Sequence, residues 1–539
     1  MMRIDPVRLT NQSKLISDYR SNNKDIKDFF DYLPFDGFEE RVNDLYKQSF
    51  QRTELADVLY QINKEWSAPA STLENINRLK ESNSVVVVGG QQAGLLTGPL
   101  YTINKVISII QLSKQQEEEL NIPVIPVFWI AGEDHDFDEI NHIYLRNSNE
   151  MKKWKVSQQN EQKSSVSHIE MDKEEVKNWL NRIFIELQET AYTKELHEVT
   201  EACLSQSNTY TEFFARLIFR LFDEYGLVLV DSAHPLIRNL ESSFFLQMIE
   251  NQQKITNEVR STLKRLGEKS YTVPLDVEEN AANLFYHKGQ ERILLMRDEN
   301  GDWVGKQQEV KFTTEEIIQI AKDHPEQLSN NVVTRPLMQE LIFPTLAFIG
   351  GPGEISYWAG LKTAFHTLGV KMPPVVPRLS FTFLDSTTNK GLEKYKITVD
   401  EAINEGLNEF KEEWIKSKSN PPIEDLAADL KKAIEKAHAP LRKVASDIRS
   451  DIRDLSEKNL TYLMRDVEFL EKRMNKAVEE KYAKELNDLK GIQLALRPAG
   501  LQERIWNPLP LINQYGVAFV HQTIHAPCSF MEDHYVVHI

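Results

Sequence analysis

The stretch Ser84–Lys105, S-V-V-V-V-G-G-Q-Q-A-G-L-L-T-G-P-L-Y-T-I-N-K, constrains this chain more than any other. Four consecutive valines bounded by turn residues predict a strand buried on both faces. Gly89 and Gly90 end it, and from Pro99 onward Leu100, Ile103, Asn104, Ile107 and then Ile110 or Leu112 recur at helical spacing. Strand, glycine-rich turn and helix form the first unit of a nucleotide-binding α/β sheet. Gly90, Gly94 and Gly98 would let a ligand approach the backbone. The first N–H groups of the helix have no internal partner, so an anion is the expected occupant and Lys105 its counter-charge. The glycines do not spell G-x-G-x-x-G, and Lys105 lies seven residues beyond Gly98 rather than beside a glycine, so this is neither a dinucleotide fingerprint nor a P-loop. A tight turn without ligand is the alternative. Gln91 and Gln92 weigh against it, because they set polar groups at the carboxyl end of a buried strand, where open α/β sheets bind ligands.

More strands of the same kind follow. V-I-P-V-F-W-I-A-G begins near residue 124, G-L-V-L-V-D-S-A runs from Gly226 to Ala233, and T-L-A-F-I-G-G-P-G-E-I-S-Y-W carries a fourth strand into a second glycine turn. A fifth is expected at Val375–Leu384, weakened by Pro377. With helices between the strands, a parallel, Rossmann-like sheet is the economical solution. Residues 1–80 read as mainly helical. The expected core is 1–388, with insertions at about 146–205 and 256–330, the second partly β.

Residues 389–490 differ: glycine is nearly absent and charge is dense. Leu441, Val444, Ile448, Ile452 and Leu455, then Leu463, Val467, Leu470, Met474 and Val478, step by three and four. This is a narrow apolar seam on long helices. Pro421-Pro422 breaks the helices, and Pro440 is expected to start or kink one. The seam must be covered, by a second copy of the chain or by packing on its own core. Residues 491–539 are expected to fold back on the core.

The totals exclude several classes. At 539 residues and 41% hydrophobic the chain can bury a large core, and a net charge of −17 argues against nonspecific binding to nucleic acid or anionic membrane. Cys203 and Cys528 are the only cysteines, so neither a disulfide framework nor a cysteine-rich zinc site is expected. No signal-peptide core and no run of eighteen apolar residues is present, and a cytoplasmic location is expected.

The densest polar cluster, Glu133-Asp134-His135-Asp136-Phe137-Asp138-Glu139-Ile140-Asn141-His142, directly follows the second strand. A histidine flanked by Asp134 and Asp136 has the parts of a general base: the acid orients the ring and holds its cationic form. The same residues can ligate a metal, but the His135–His142 spacing matches no common zinc pattern, and no metal is assigned. An acidic helix N-terminus is the plain alternative. In the second glycine turn, Glu354 and Tyr357 sit at a helix start, where Glu354 could bind an amine or hydroxyl or merely cap the helix. Arg335 and Arg378 could pair with a substrate carboxylate. In R-P-A-G-L-Q-E-R-I-W-N, Arg497, Gln502, Arg504 and Trp506 could hold a purine and phosphate or form a structural clamp.

With these motifs in view, the chain resembles the cysteine ligase family of bacillithiol biosynthesis over essentially its whole length. The resemblance implies a Rossmann core with two connecting insertions and a coiled-coil arm that makes a homodimer. It implies a reaction joining cysteine to the amine of glucosaminyl-malate. The expected catalytic residues are then His135, Asp134 and Asp136, with His135 deprotonating the amine. Gln91, Gln92, Gly94, Tyr101, Asn141, His142, Glu354, Tyr357 and Arg378 are the expected substrate contacts. A nucleotide, ATP or ADP, would lie on Gly90, Gly98 and Lys105 or on Arg497, Gln502, Arg504 and Trp506. The family is also compared with class I aminoacyl-tRNA synthetases, and there this chain departs, having neither H-I-G-H nor K-M-S-K-S. Two other readings stay open. One is a metal-dependent hydrolase or deacetylase using His135, Asp136 and Asp138. The other is a non-catalytic sugar-nucleotide sensor whose arm is a partner platform.

Overall fold

A computed structural model describes residues 3–148, 150–159 and 164–539. The chain divides into two compact units. The first comprises the residues up to Leu145 with Lys152–Phe383 and Gln502–Ile539; the second is Arg146–Met151 with Leu384–Leu501.

The first unit is built on five parallel strands: β1 (Val85–Gln91), β2 (Val124–Ile130), β3 (Val228–Asp231), β4 (Thr345–Gly350) and β5 (Val375–Pro377). Their spatial order is β5-β4-β1-β2-β3, and every pairing is parallel. Val85, Val86, Val87 and Val88 are wholly buried, as continuous apolar runs in a doubly covered sheet must be. The helix α1 (Leu100–Leu120) packs against β1 and β2. Because β1 has β2 on one side and β4 on the other, the strand order reverses between β1 and β4. Ligands of open α/β sheets bind in the crevice at that switch point.

The expected fifth strand is shorter than its apolar run. Val375–Pro377 joins the sheet, and Gly350 is the register partner of Pro377. Phe381–Leu384 instead joins a separate sheet with His534–His538 and Arg3–Val7. Proline offers no ladder N–H, so the strand ends there. Residues 1–80 are mainly helical, as expected, and the Arg3–Val7 strand is the one addition to that reading among the described residues. Its partner lies at the far end of the chain, so no local pattern announces it.

The second insertion holds an antiparallel sheet of Ala281–Lys288, Glu291–Arg297, Trp303–Gly305, Lys311–Phe312 and Leu328–Asn330. The first carries the helices Lys173–Glu186 and Thr193–Ser205.

The second unit contains a hairpin of two long helices, α2 (Ile423–Ile448) and α3 (Ser450–Lys481), with Pro440 inside α2 rather than at an end. Within that unit the hairpin buries little of its seam: Leu441 is 63% exposed and Leu455 62%, whereas Val467 is buried. No helix among the described residues is long and apolar enough to cross a membrane.

Candidate active site

Lys105, from the second turn of α1, is the hinge of the switch point. Its ammonium donates to the Gly90 carbonyl at 2.6 Å, to Gln91 Oε1 at 3.2 Å and to Glu354 Oε2 at 2.5 Å. Glu354 Oε2 also accepts from the Gly351 N–H at 2.8 Å, reaching back to the N-cap residue of the helix Pro352–Trp358. Lys105 thus ties the ends of β1 and β4 together. Burial pushes its ammonium below the usual lysine range, and Glu354 pulls the other way. Lys105 is 1% exposed, so its charge is already matched from within the chain.

The glycine turn differs from the expected anion seat. A 3₁₀ turn, Leu95–Thr97, intervenes before α1, and Leu96 and Thr97 take left-handed φ values of 48° and 70°. The first helical N–H, on Leu100, donates to the Trp506 carbonyl at 2.7 Å. Asn507 Nδ2 donates to the carbonyls of Leu96 and Gly98 at 3.0 and 2.7 Å. A Cβ on Gly90 would lie 2.6 Å from the Trp129 carbonyl oxygen, and one on Gly94 2.7 Å from the Gly98 Cα. These glycines make room for neighbouring backbone, which accounts for them without a ligand.

Arg378 and Arg335 lie in the field of Lys105, and a third guanidinium, Arg292, lies in the field of Arg335. Arg378 makes a two-pronged bond to buried Glu503 at 2.7 and 2.6 Å, and Asn104 Nδ2 donates to the same carboxylate at 2.8 Å. Burial alone would raise the Glu503 carboxyl, but Arg378 holds it below the usual range. Arg335 donates to the Tyr357 hydroxyl. Tyr101 lies in the field of Arg378, Arg504, Glu139 and Glu354, and burial raises its phenol. The third, Arg292, comes from the second insertion and stacks on Phe285, its guanidinium carbon 3.7 Å from the ring centroid.

Arg292 leads to the E-D-H-D run. Its Nη1 lies 3.4 Å from His135 Nδ1 and 3.8 Å from Asp134 Oδ1, and its Nη2 donates to the Asn330 carbonyl at 2.7 Å. Asp134 Oδ2 accepts from Gln92 Nε2 at 2.8 Å, and its Oδ1 accepts from the His135 backbone N–H at 2.8 Å. Glu133 is buried and paired with Arg238, which also binds Glu241 at 2.5 Å. Gln91 and Gln92 are consecutive, so one strand end serves both the Lys105–Glu354 and the Asp134–Arg292–His135 groups.

Other residues of the run point elsewhere. Asp134 Oδ1 stands 3.8 Å from His135 Nδ1, too far to orient it, and Asp136 is exposed. Asp138 pairs with Lys155 at 2.7 Å and accepts from Asn141 at 3.1 Å. The wholly buried Asn141 therefore braces its own turn. His142 packs edge-on against Tyr144, and burial pushes its imidazole down to about 4. Among the described residues no group of three or more His, Cys, Asp and Glu side chains is placed to hold a metal.

The R-P-A-G-L-Q-E-R-I-W-N segment is used mostly as a clamp. Gln502 exchanges two hydrogen bonds with the Phe383 backbone, at 2.8 and 2.9 Å. Trp506 and Asn507 hold the glycine turn, and Arg504 is exposed. Arg497, in the second unit, donates to the Ile403 carbonyl of that unit. Sequence reasoning passed over Arg292, Arg238 and Asn330. Asn330 is buried with neither side-chain polar atom partnered. Only adjacency in space marks these three.

Comparison with known proteins agrees with this architecture. Residues 2–379 match the family described as "Bacillithiol biosynthesis BshC, N-terminal Rossmann-like domain", and residues 381–539 match its "C-terminal coiled-coil domain". A protein of Oceanobacillus iheyensis named "Putative cysteine ligase BshC" is 44% identical over the full length of both chains. Proteins of the same name from Bacillus cereus and Bacillus thuringiensis are 41% and 40% identical over 98% of each chain. From sheet to helical arm, this chain belongs to the BshC family of bacillithiol biosynthesis.

Proposed function

We propose that this protein is an amide-forming ligase that joins the carboxyl group of cysteine to the amine of glucosaminyl-malate, completing bacillithiol. The observation that carries the reading is the convergence of Arg335 and Arg378 with Lys105 around one strand switch point, with Arg292 and His135 at the neighbouring strand end. Family membership and the names of the relatives support it. Two of these planar cations suit a substrate with two carboxylates, since guanidinium groups bind carboxylates in two-pronged fashion. Arg378, now on Glu503, and Arg335, now on Tyr357, are the proposed malate contacts, with Gln91, Gln92 and Tyr101 beside them. His135 is the proposed catalytic imidazole, and ATP the proposed activating nucleotide. The exposed seam of the hairpin supports a homodimer formed through the arm.

The test is to incubate the purified protein with cysteine, glucosaminyl-malate and ATP, omitting each in turn, and to follow the product by mass. Bacillithiol formed only when both organic substrates are present is expected. Product formed equally without ATP would remove the nucleotide from the proposal. No product even from a preactivated cysteine donor would remove the ligase.

A further inference from the structure

The E-D-H-D run suggests a general base held by a neighbouring aspartate, but the partner at hydrogen-bond distance is a cation. Arg292 Nη1 meets His135 Nδ1 at 3.4 Å, while Asp134 Oδ1 stays 3.8 Å from the same nitrogen. Both Asp134 oxygens are engaged, by Gln92 and by the His135 backbone N–H. Arginine has five donors and no acceptor. The nitrogen facing it must therefore accept, and the proton of the neutral ring must sit on the other one.

Arg292 is well placed to impose this. It is nearly buried, stacked on Phe285, and braced by Ser329 Oγ at 3.2 Å and the Asn330 carbonyl at 2.7 Å. The guanidinium is therefore fixed before any ligand arrives, and the ring adjusts to it. His135 is one-third exposed, and no described residue bonds to its Nε2.

We propose that Arg292 is a positioning residue that holds His135 as the Nε2–H tautomer. The ring then meets its substrate as a hydrogen-bond donor to a carbonyl or carboxylate oxygen, not as the base that takes the amine proton. The charged groups that face the ring are Arg292, from the second insertion, and Asp134, beside it on the chain. This rests on the ligase reading for the identity of the substrate; the tautomer itself does not.

The test is imidazole nitrogen NMR on the deuterated full-length protein labelled with ¹⁵N-histidine, with His135 assigned by its loss in H135Q. The wild type is expected to show a protonated Nε2 and a bare Nδ1. R292Q is expected to shift both nitrogens toward a tautomer mixture, and R292K, which keeps a donor, to retain the wild-type pattern. In the ligase assay R292Q is expected to lose about 10- to 100-fold in kcat with KM little changed, by analogy with the outer partners that orient metal-bound imidazoles. A proton on Nδ1 in the wild type would overturn the proposal, as would unchanged nitrogen shifts in R292Q. Should R292Q fail to fold, the wild-type and R292K spectra decide alone. A wild-type protein with the predicted tautomer but no ligase activity would sink the functional reading and leave the positioning role intact.

Discussion

At the carboxyl end of the parallel sheet, charged side chains are buried and paired; on the helical hairpin, apolar side chains are exposed and unpaired. Lys105 with Glu354 and Arg378 with Glu503 place ions where water is nearly absent, and each is matched within the same unit. Leu441, Val444, Ile448 and Leu455 place hydrocarbon where water is abundant. The first arrangement costs desolvation and returns a fixed geometry. The second returns nothing until another surface covers it. The candidate site and the proposed interface are thus separated in the sequence and would use burial in opposite ways.

Breaking the core side should give the larger effects. His135→Ala is expected to lower the rate of bacillithiol formation by about 10²–10³, as loss of a hydrogen-bond donor to a reacting oxygen does, with the urea unfolding midpoint close to wild type. An unchanged rate would place the chemistry elsewhere. Glu503→Ala leaves a buried guanidinium without its partner, and unfolding in urea should show a loss of about 3–5 kcal/mol. Adding Arg378→Met should recover much of that stability without activity, which separates the pair's positioning role from its energetics.

The arm should respond in the opposite sense. Leu441→Lys with Leu455→Lys is expected to leave folding stability within about 0.5 kcal/mol, because both sites are exposed. It should weaken self-association by about 2 kcal/mol or more, as loss of interface anchors does. Sedimentation velocity over a concentration series checks this, and an unchanged profile would remove the dimer proposal.

A smaller effect comes from pH. His534 is buried between Ser380 Oγ at 2.7 Å and Thr382 Oγ1 at 2.8 Å, and burial pushes its imidazole down to about 4. The unfolded chain takes up this proton near the ordinary histidine value, while the folded chain refuses it until about 4. The stabilisation is therefore complete above that ordinary value and is lost as pH falls to about 4, by up to about 3 kcal/mol. His534→Gln should flatten the pH dependence of unfolding between pH 4 and 7. The smallest effect is expected for Asp136→Ala, since Asp136 is exposed: both activity and stability should stay near wild type.

The strands were legible because a strand buried on both faces is a continuous apolar run, as in V-V-V-V and V-I-P-V-F-W-I. The long helices of the arm were legible because their seam repeats within one or two helical turns. Val375–Leu384 misled, since one apolar run serves two sheets. The glycine turn misled differently: Gly90 and Gly94 looked like a cradle for a ligand, yet the atoms they make room for are Trp129 and Gly98. Arg292 left no local signal at all, because it meets His135 across 157 positions.

Residue order alone was enough to establish a parallel sheet with helices between its strands, a polar run where the second strand ends, and a helical arm with an apolar seam. Each of these is written in side chains a few positions apart. Which charge meets which was settled only when the second insertion, the glycine turns and the C-terminal segment came together in space. The cost of burying an ion depends on what lies within a few ångströms of it, and for His135 and Lys105 those neighbours come from distant parts of the chain.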